Sequence, residues 1–386
     1  MINPEHFYNL LKENSIDFYT GVPDSLLKNI CAYITDNTSE ENNIIAANEG
    51  GAVALSAGYH LATGKVPLIY MQNSGLGNAV NPLLSLVDKK VYSIPMLLMI
   101  GWRGERGVKD EPQHIKQGEV TLKLLEAMDI PYEIVPDILN DATVLIEKSI
   151  EYVKENKCPL AFIIKKDLFE SYELQNKVKT NFEMKREDAI KLIVDTLEKD
   201  DIVVSTTGKT SRELFEYREE LKQGHENDFL TVGSMGHASQ IALGIAIQKP
   251  NRQVYCFDGD GAVIMHTGSM GIIGTVSPKN FKHIIFNNGS HDSVGGQPTI
   301  GFTTDFTKIA KAFNYEFAEK VESIIDVKSI MNKFKSSKGP ALLEICVNRG
   351  ARKDLGRPTS TPIENKLSFK KCLNNETKRN NSTRGY

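Results

Sequence analysis

Cysteine is scarce: five residues in 386 (Cys31, Cys158, Cys256, Cys346 and Cys372), odd in number and with no C-x-x-C pair. That spacing supports neither a zinc site nor a disulfide framework. Four of the five sit in or beside apolar runs and read as inert core residues. No charge of one sign dominates: 46 Lys and Arg against 49 Asp and Glu leave a net charge of −3, which removes the electrostatic case for a nucleic-acid partner. No apolar run approaches the length of a membrane span. The N-terminus, MINPEHFYNLLKENS, is polar and amphipathic, unlike a signal peptide. These absences point to a cytoplasmic compartment. A phosphate-binding NTPase loop is also missing. Thr207-Gly208-Lys209-Thr210 follows a strand, but the pattern needs Gly at 203, where Val203 stands. The amides near Gly208, with Lys209, still suit an anion at a helix start.

What is present is an ordinary globular composition, 40% apolar and 25% charged, at a length suited to two domains. Short apolar strands alternate with helical patterns: Phe18–Gly21, Ile44–Ala47, Leu68–Met71, Met96–Ile100, Tyr132–Val135 and Leu160–Ile164. Helices are expected from Pro23, from Glu49 and near Leu122. A charged, strand-poor stretch follows Lys165. Strands then resume at Ile202–Ser205, Leu230–Val232, Val254–Phe257, Ile284–Asn287, Tyr315–Ala318 and Ala341–Cys346. This is βα repetition, so the expected fold is α/β, two doubly wound parallel-sheet domains. The expected boundaries are 1–168, a linker at 169–184, 185–373, and a polar, disordered tail at 374–386.

The most informative stretch is 255–296. An apolar strand runs into Asp258-Gly259-Asp260-Gly261; a helix-length segment leads to a second strand ending in Asn287-Asn288-Gly289. A crossover helix between parallel strands puts both strand ends on one sheet edge, where open α/β sheets bind ligands. Asp carboxylate, Asn carbonyl and loop carbonyl are hard oxygen ligands suited to Mg²⁺ that also holds phosphate. Glycines let backbone approach a diphosphate, and the helix start after Gly261 favours an anion. Either turn alone is common loop chemistry.

Asn48-Glu49-Gly50-Gly51-Ala52 also lies at a strand end before a helix, where an acid suits the macrodipole. Gly233-Ser234-Met235-Gly236-His237 precedes the helix before the Asp260 strand, and Met235 is suited to an irregular gap. The stretch Trp102–His114 is a glycine-rich loop carrying Arg103, Arg106 and Lys109, cations suited to a multiply charged anion. His114 reads as an acid–base group or a surface histidine. A second cationic stretch contains Arg352 and Arg357.

The GDG…NN pair, in strand–turn–helix–strand order, resembles the signature of thiamine-diphosphate (ThDP) enzymes. The resemblance extends to Glu49 and Met235, in the right order. It implies pyrimidine-binding and pyrophosphate-binding ThDP domains without a middle domain. Glu49 would hydrogen-bond the aminopyrimidine, Met235 would sit under the bend of the cofactor, and Asp260, Asn288 and the Ser290 carbonyl would bind Mg²⁺. Gly75, Asn78, Gly208, Ser234, Gly236, Gly261 and Ala262 would lie around the cofactor.

Gly21-Val22-Pro23-Asp24-Ser25, Asp110-Glu111-Pro112-Gln113-His114, Ser293-Val294-Gly295-Gly296 and Asp354–Thr359 are similar to the phosphonopyruvate and sulfopyruvate decarboxylase branch. That branch implies a lyase that converts 3-phosphonopyruvate to phosphonoacetaldehyde and CO₂ in phosphonate biosynthesis. Sulfopyruvate decarboxylation and a non-catalytic ThDP-fold subunit are the alternatives. The resemblance puts Glu49, His114 and His291 at the chemistry. The substrate's acidic group falls to Ser25, Arg103, Arg106, Lys209, Arg352 or Arg357. It also implies a homodimer or larger assembly with sites at the subunit interface, a small 2-oxo acid as substrate, and neither nucleic acid nor membrane as partner.

Overall fold

A computed structural model describes the backbone of residues 1–382 and side chains through residue 374. The chain divides into two compact units, Met1–Val178 with His291–Pro298, and Lys179–Ser290 with the chain from Thr299 onward. The division falls inside the 169–184 stretch read as a linker, while 291–298 group with the first unit although they lie far along the chain.

The first sheet holds β1 (Tyr19–Gly21), β2 (Asn43–Ile45), β3 (Leu68–Gln72), β4 (Met96–Gly101), β5 (Tyr132–Ile134) and β6 (Pro159–Ile164), in the order β2-β1-β3-β4-β6-β5. The second holds β7 (Ile202–Ser205), β8 (Asp228–Leu230), β9 (Val254–Gly259), β10 (Phe281–Asn287), β11 (Phe317–Val321) and β12 (Ala341–Cys346), in the order β8-β7-β9-β10-β12-β11. Every pairing is parallel. Counted from its own first strand, each sheet has the same order. The two units therefore repeat one doubly wound topology, as expected for paired ThDP-binding domains.

Central strands β4, β6, β10 and β12 are buried along their whole length, because helices cover both faces of a parallel sheet. Alternation does the sorting. Leu97 and Met99 enter the cluster on one face of the first sheet, Met96, Leu98 and Ile100 the cluster on the other. Ile284 and Phe286 divide from Phe281 and Ile285 in the same way in the second.

Several boundaries differ from expectation for local reasons. The helix expected from Pro23 is Lys28–Asn37, because the Asp24 carboxylate accepts the Leu26 amide at 2.8 Å and holds a turn there. The helix expected near Leu122 already begins at Pro112, a favoured first position, so His114 is on a helix rather than in a loop. β8 starts at Asp228, a buried acid paired with Arg218 through two bonds of 3.0 and 3.1 Å. β11 starts only at Phe317, since the Tyr315 amide still bonds Ala310 of the preceding helix. The last helix, Pro362–Ser382, opens on a capping box of Thr361 and Glu364 and runs into the stretch expected to be disordered. Residues 383–386 lie outside the described residues. Among the described residues no helix is long and apolar enough to cross a membrane.

Candidate active site

In a parallel sheet all strand C-termini reach one edge, and the chain reverses direction across the first sheet between β1 and β3. Such a reversal opens a crevice for ligands. Asp24 sits there, fully buried. It accepts Gln72 Nε2 at 2.5 Å from the end of β3 and the Leu26 amide at 2.8 Å. Burial pushes its carboxyl up, against the lowering effect of these donors and of Arg103. In the sequence Asp24 appears only within the Gly21–Ser25 stretch, with its neighbour Ser25 as the candidate; an acid just past a strand end was the available signal.

The loop after β4 is built around Arg103. Its Nε donates to Asp110 Oδ2 at 2.8 Å, its Nη2 to Oδ1, and its Nη1 to Ser25 Oγ at 2.6 Å. Gly104 and Glu111 donate their amides to the same carboxylate. Asn73 Nδ2 holds the Arg103 carbonyl at 2.8 Å, and its Oδ1 takes the Arg103 amide at 3.2 Å. Arg103 and Ser25 thus belong to one bonded lattice, with Asp110 as a member the sequence reading did not single out. Arg106, by contrast, is exposed. His114 is buried, and its Nδ1 has no hydrogen-bond partner. Burial, then the nearby Arg103 charge, lower its pKa.

Glu49 opens the helix Glu49–Thr63 after β2, with Asn48 as the cap that accepts the Gly51 amide at 2.9 Å. Its carboxyl is buried; Oε2 accepts Asn78 Nδ2 at 2.7 Å. Gly75 faces the other oxygen so closely that a Cβ there would fall 2.4 Å from Oε1. The structure therefore brings Glu49, Gly75 and Asn78 together, leaving Oε1 over bare backbone.

The second unit repeats the arrangement at the reversal between β7 and β9. Gly208, at φ +94°, caps the helix Lys209–Glu220 after β7, so Lys209 is its first residue. Asp260 opens the helix Asp260–Met265 directly after β9, with Gly261 in its first turn and Ala262 buried behind. The Asp260 carboxylate is buried and takes the Thr299 hydroxyl and the amides of Asn288, Asp260 and Gly261. Burial still lifts it to about 6. Asn288 and Ser290, both buried, follow β10, and the Ser290 amide bonds Asn288 Oδ1 at 3.1 Å. These carboxylate and carbonyl oxygens form a donor set that fits Mg²⁺. Desolvation holds the His291 imidazole down at about 4, hence neutral.

After β8, Gly233, Ser234 and Gly236 all have positive φ (80°, 47° and 83°), which folds the chain around half-buried Met235. His237 Nδ1 lies 3.3 and 3.2 Å from the Ser234 and Met235 carbonyls, and its ring packs 4.5 Å from that of His266. The sequence reading missed His266, which is far away in the chain.

Two further arrangements were not legible in the sequence. Arg352 is surrounded by the carboxylates of Glu187, Glu216 and Asp354. Arg357 is exposed on the same segment. Cys256 and Asp258 of β9 meet His283 of β10 in the core, with ligand atoms near enough to share a metal. Asp258 Oδ1 there accepts the Gly259 amide at 3.1 Å, bracing the turn before Asp260.

Comparison with known proteins agrees with this geometry. The family described as thiamine pyrophosphate enzyme, N-terminal TPP binding domain, matches residues 4–125, and its C-terminal TPP binding domain matches residues 206–345. Phosphonopyruvate decarboxylase of Streptomyces viridochromogenes is 31% identical over 89% of this chain and 88% of its own length. That of Streptomyces hygroscopicus is 31% identical over 89% and 87%. Sulfopyruvate decarboxylase of Methanosarcina acetivorans is 28% identical over 97% and 98%. With both halves matched and whole-length relatives at this identity, the chain belongs to the thiamine pyrophosphate enzymes.

Proposed function

We propose that the protein is a ThDP- and Mg²⁺-dependent decarboxylase that converts 3-phosphonopyruvate to phosphonoacetaldehyde and CO₂. The carrying observation is the buried Glu49 carboxyl, held by Asn78 through one oxygen and packed over the bare backbone of Gly75 at the other. Similarity to the two phosphonopyruvate decarboxylases supports the choice of substrate. Bound ThDP supplies the electron sink that lets CO₂ leave a 2-oxo acid. Glu49 would hydrogen-bond the aminopyrimidine, and the Asn78 contact fixes its carboxyl through Oε2. Asp260, Asn288 and the Ser290 carbonyl would hold Mg²⁺, and Gly208, Ser234, Met235, Gly236, Gly261 and Ala262 would line the cofactor's bed. Neutral His114 and His291 are the candidates to move protons at the substrate. Arg106, Lys209 and Arg357 are the candidate cations for the phosphonate, with Arg103 and Ser25 framing the loop that carries Arg106. A homodimer, in which each site takes the pyrimidine-binding domain of one subunit and the metal-binding domain of the other, is part of this reading.

Sulfopyruvate is the second reading, supported by the relative matched over 98% of its own length. A non-catalytic subunit is disfavoured because Glu49, Asp260 and Asn288 are all retained. The test is CO₂ release from phosphonopyruvate, sulfopyruvate and pyruvate in parallel, with ThDP and Mg²⁺. Turnover fastest with phosphonopyruvate is expected; a preference for sulfopyruvate transfers the assignment, and no release from any of the three overturns it.

A further inference from the structure

Gln297 carries an anomaly that cofactor binding does not absorb. Its side chain is 1% exposed, yet neither Nε2 nor Oε1 has a hydrogen-bond partner. A primary amide offers two donors and an acceptor with two lone pairs, and buried amides are nearly always paired. The surrounding loop does not consume it. His291 donates its amide to the Gln297 backbone carbonyl at 2.9 Å, and Val294 and Gly296 donate theirs to the His291 carbonyl at 3.1 Å. These three backbone bonds close the segment His291–Pro298 on itself. Gly295 and Gly296 have φ of +129° and +84°, and a Cβ on Gly295 would lie 2.8 Å from Gln297 Oε1 and 2.9 Å from Nε2. The amide is packed flat against bare backbone, in space a glycine makes. Two residues further along the chain, Thr299 donates its hydroxyl to Asp260.

We propose that the Gln297 amide is a substrate contact that reads the phosphonate group, an inference that rests on the phosphonopyruvate reading above. The ligand that completes an amide presents an acceptor and a donor side by side. A monoprotonated phosphonate does so: its P–O⁻ accepts from Nε2 and its P–OH donates to Oε1. The second ionisation of phosphate-type groups lies at about pH 6, so this form is populated near neutrality. A sulfonate carries acceptors only and leaves Oε1 unpaired. Leaving one buried polar atom unpaired costs about 5- to 150-fold in an equilibrium, enough to separate the two substrates without any difference in size.

The experiment uses full-length holoenzyme with Gln297→Met, which keeps length and removes polarity, and Gln297→Glu, which keeps shape and removes the donor. Each is assayed for kcat/KM on phosphonopyruvate, sulfopyruvate and pyruvate, with ThDP binding followed by near-ultraviolet circular dichroism. Gln297→Met is expected to lose about 10-fold or more on phosphonopyruvate, change little on pyruvate, and lower the phosphonate-to-sulfonate ratio. Gln297→Glu is expected to lose more on phosphonopyruvate and to recover in part at lower pH, where substrate and side chain gain protons. Equal losses on all three substrates, or an unchanged phosphonate-to-sulfonate ratio, overturn the proposal while the decarboxylase assignment stands. If Gln297→Met does not bind ThDP, the Gln297→Glu substrate ratios decide by the same criterion. A wild-type enzyme inactive on phosphonopyruvate defeats the functional reading, and this inference with it.

Discussion

Arg103 and Asp110 form a two-point ion pair, Nε to Oδ2 at 2.8 Å and Nη2 to Oδ1, with both side chains largely buried. The arrangement is charge-assisted and planar, which fixes direction as well as energy. The pair spends the guanidinium on the protein itself, and the same carboxylate ties down Gly104 and Glu111. Arg103 is therefore the frame of this loop, and exposed Arg106 is the cation the frame presents.

A division of labour follows that kinetics can read. Arg106→Ala should lower kcat/KM on phosphonopyruvate far more than on pyruvate, which lacks the second anion. Asp110→Ala should lower stability by about 1.5–3 kcal/mol, the worth of hydrogen bonds to a charged group, and reduce activity on both substrates alike. Losses equal on both substrates for Arg106→Ala would move the phosphonate anchor to Lys209 or Arg357.

Glu49→Gln should fold and bind ThDP but lose about 100-fold or more in kcat, the scale of a positioned proton-transfer group. Gly75→Ala tests the same contact from the other side. Its Cβ would fall 2.4 Å from Glu49 Oε1, so the carboxyl must shift, and kcat should drop with the substitution remote from any titratable change. Near wild-type turnover in Glu49→Gln would remove Glu49 from the chemistry.

Asp260→Ala should weaken ThDP and Mg²⁺ together. Chelation of divalent metal from wild type should likewise release ThDP, measured by equilibrium dialysis of the cofactor with and without chelator. Cofactor retention that ignores both would place the oxygen cage elsewhere.

His114 gives a pH signature. Burial and the Arg103 charge lower its folded pKa below the ordinary 6.5. Between those two values the unfolded chain binds more protons, so stability rises with pH through that window and is lost as pH falls through it. Wild type should lose denaturation midpoint on acidification below about pH 6.5, and His114→Gln should lose less over the same interval. Identical slopes for the two proteins would show that His114 does not titrate in this way.

The sequence by itself determined the architecture and offered the candidate polar residues for a cofactor bed. Apolar runs punctuated by glycine turns are local, and β12 could be read to the residue as Ala341–Cys346. Strand-end acids and amides such as Glu49, Asp260 and Asn288 carry their chemistry in the residue type. The family resemblance named their cofactor. Only the tertiary structure decided what each charged side chain faces. Arg103, Arg106 and Arg352 look alike in sequence, yet one is locked to Asp110, one is exposed and one is ringed by carboxylates. Asp24 and Gln72 are 48 positions apart and met only because β1 and β3 are neighbours. Nothing in the sequence singles out Gln297; burial in the folded chain leaves its amide without a partner. The reason is physical: periodicity and turn chemistry act between near neighbours in the chain. Desolvation and ion pairing depend on distance in space, which the folded chain alone sets.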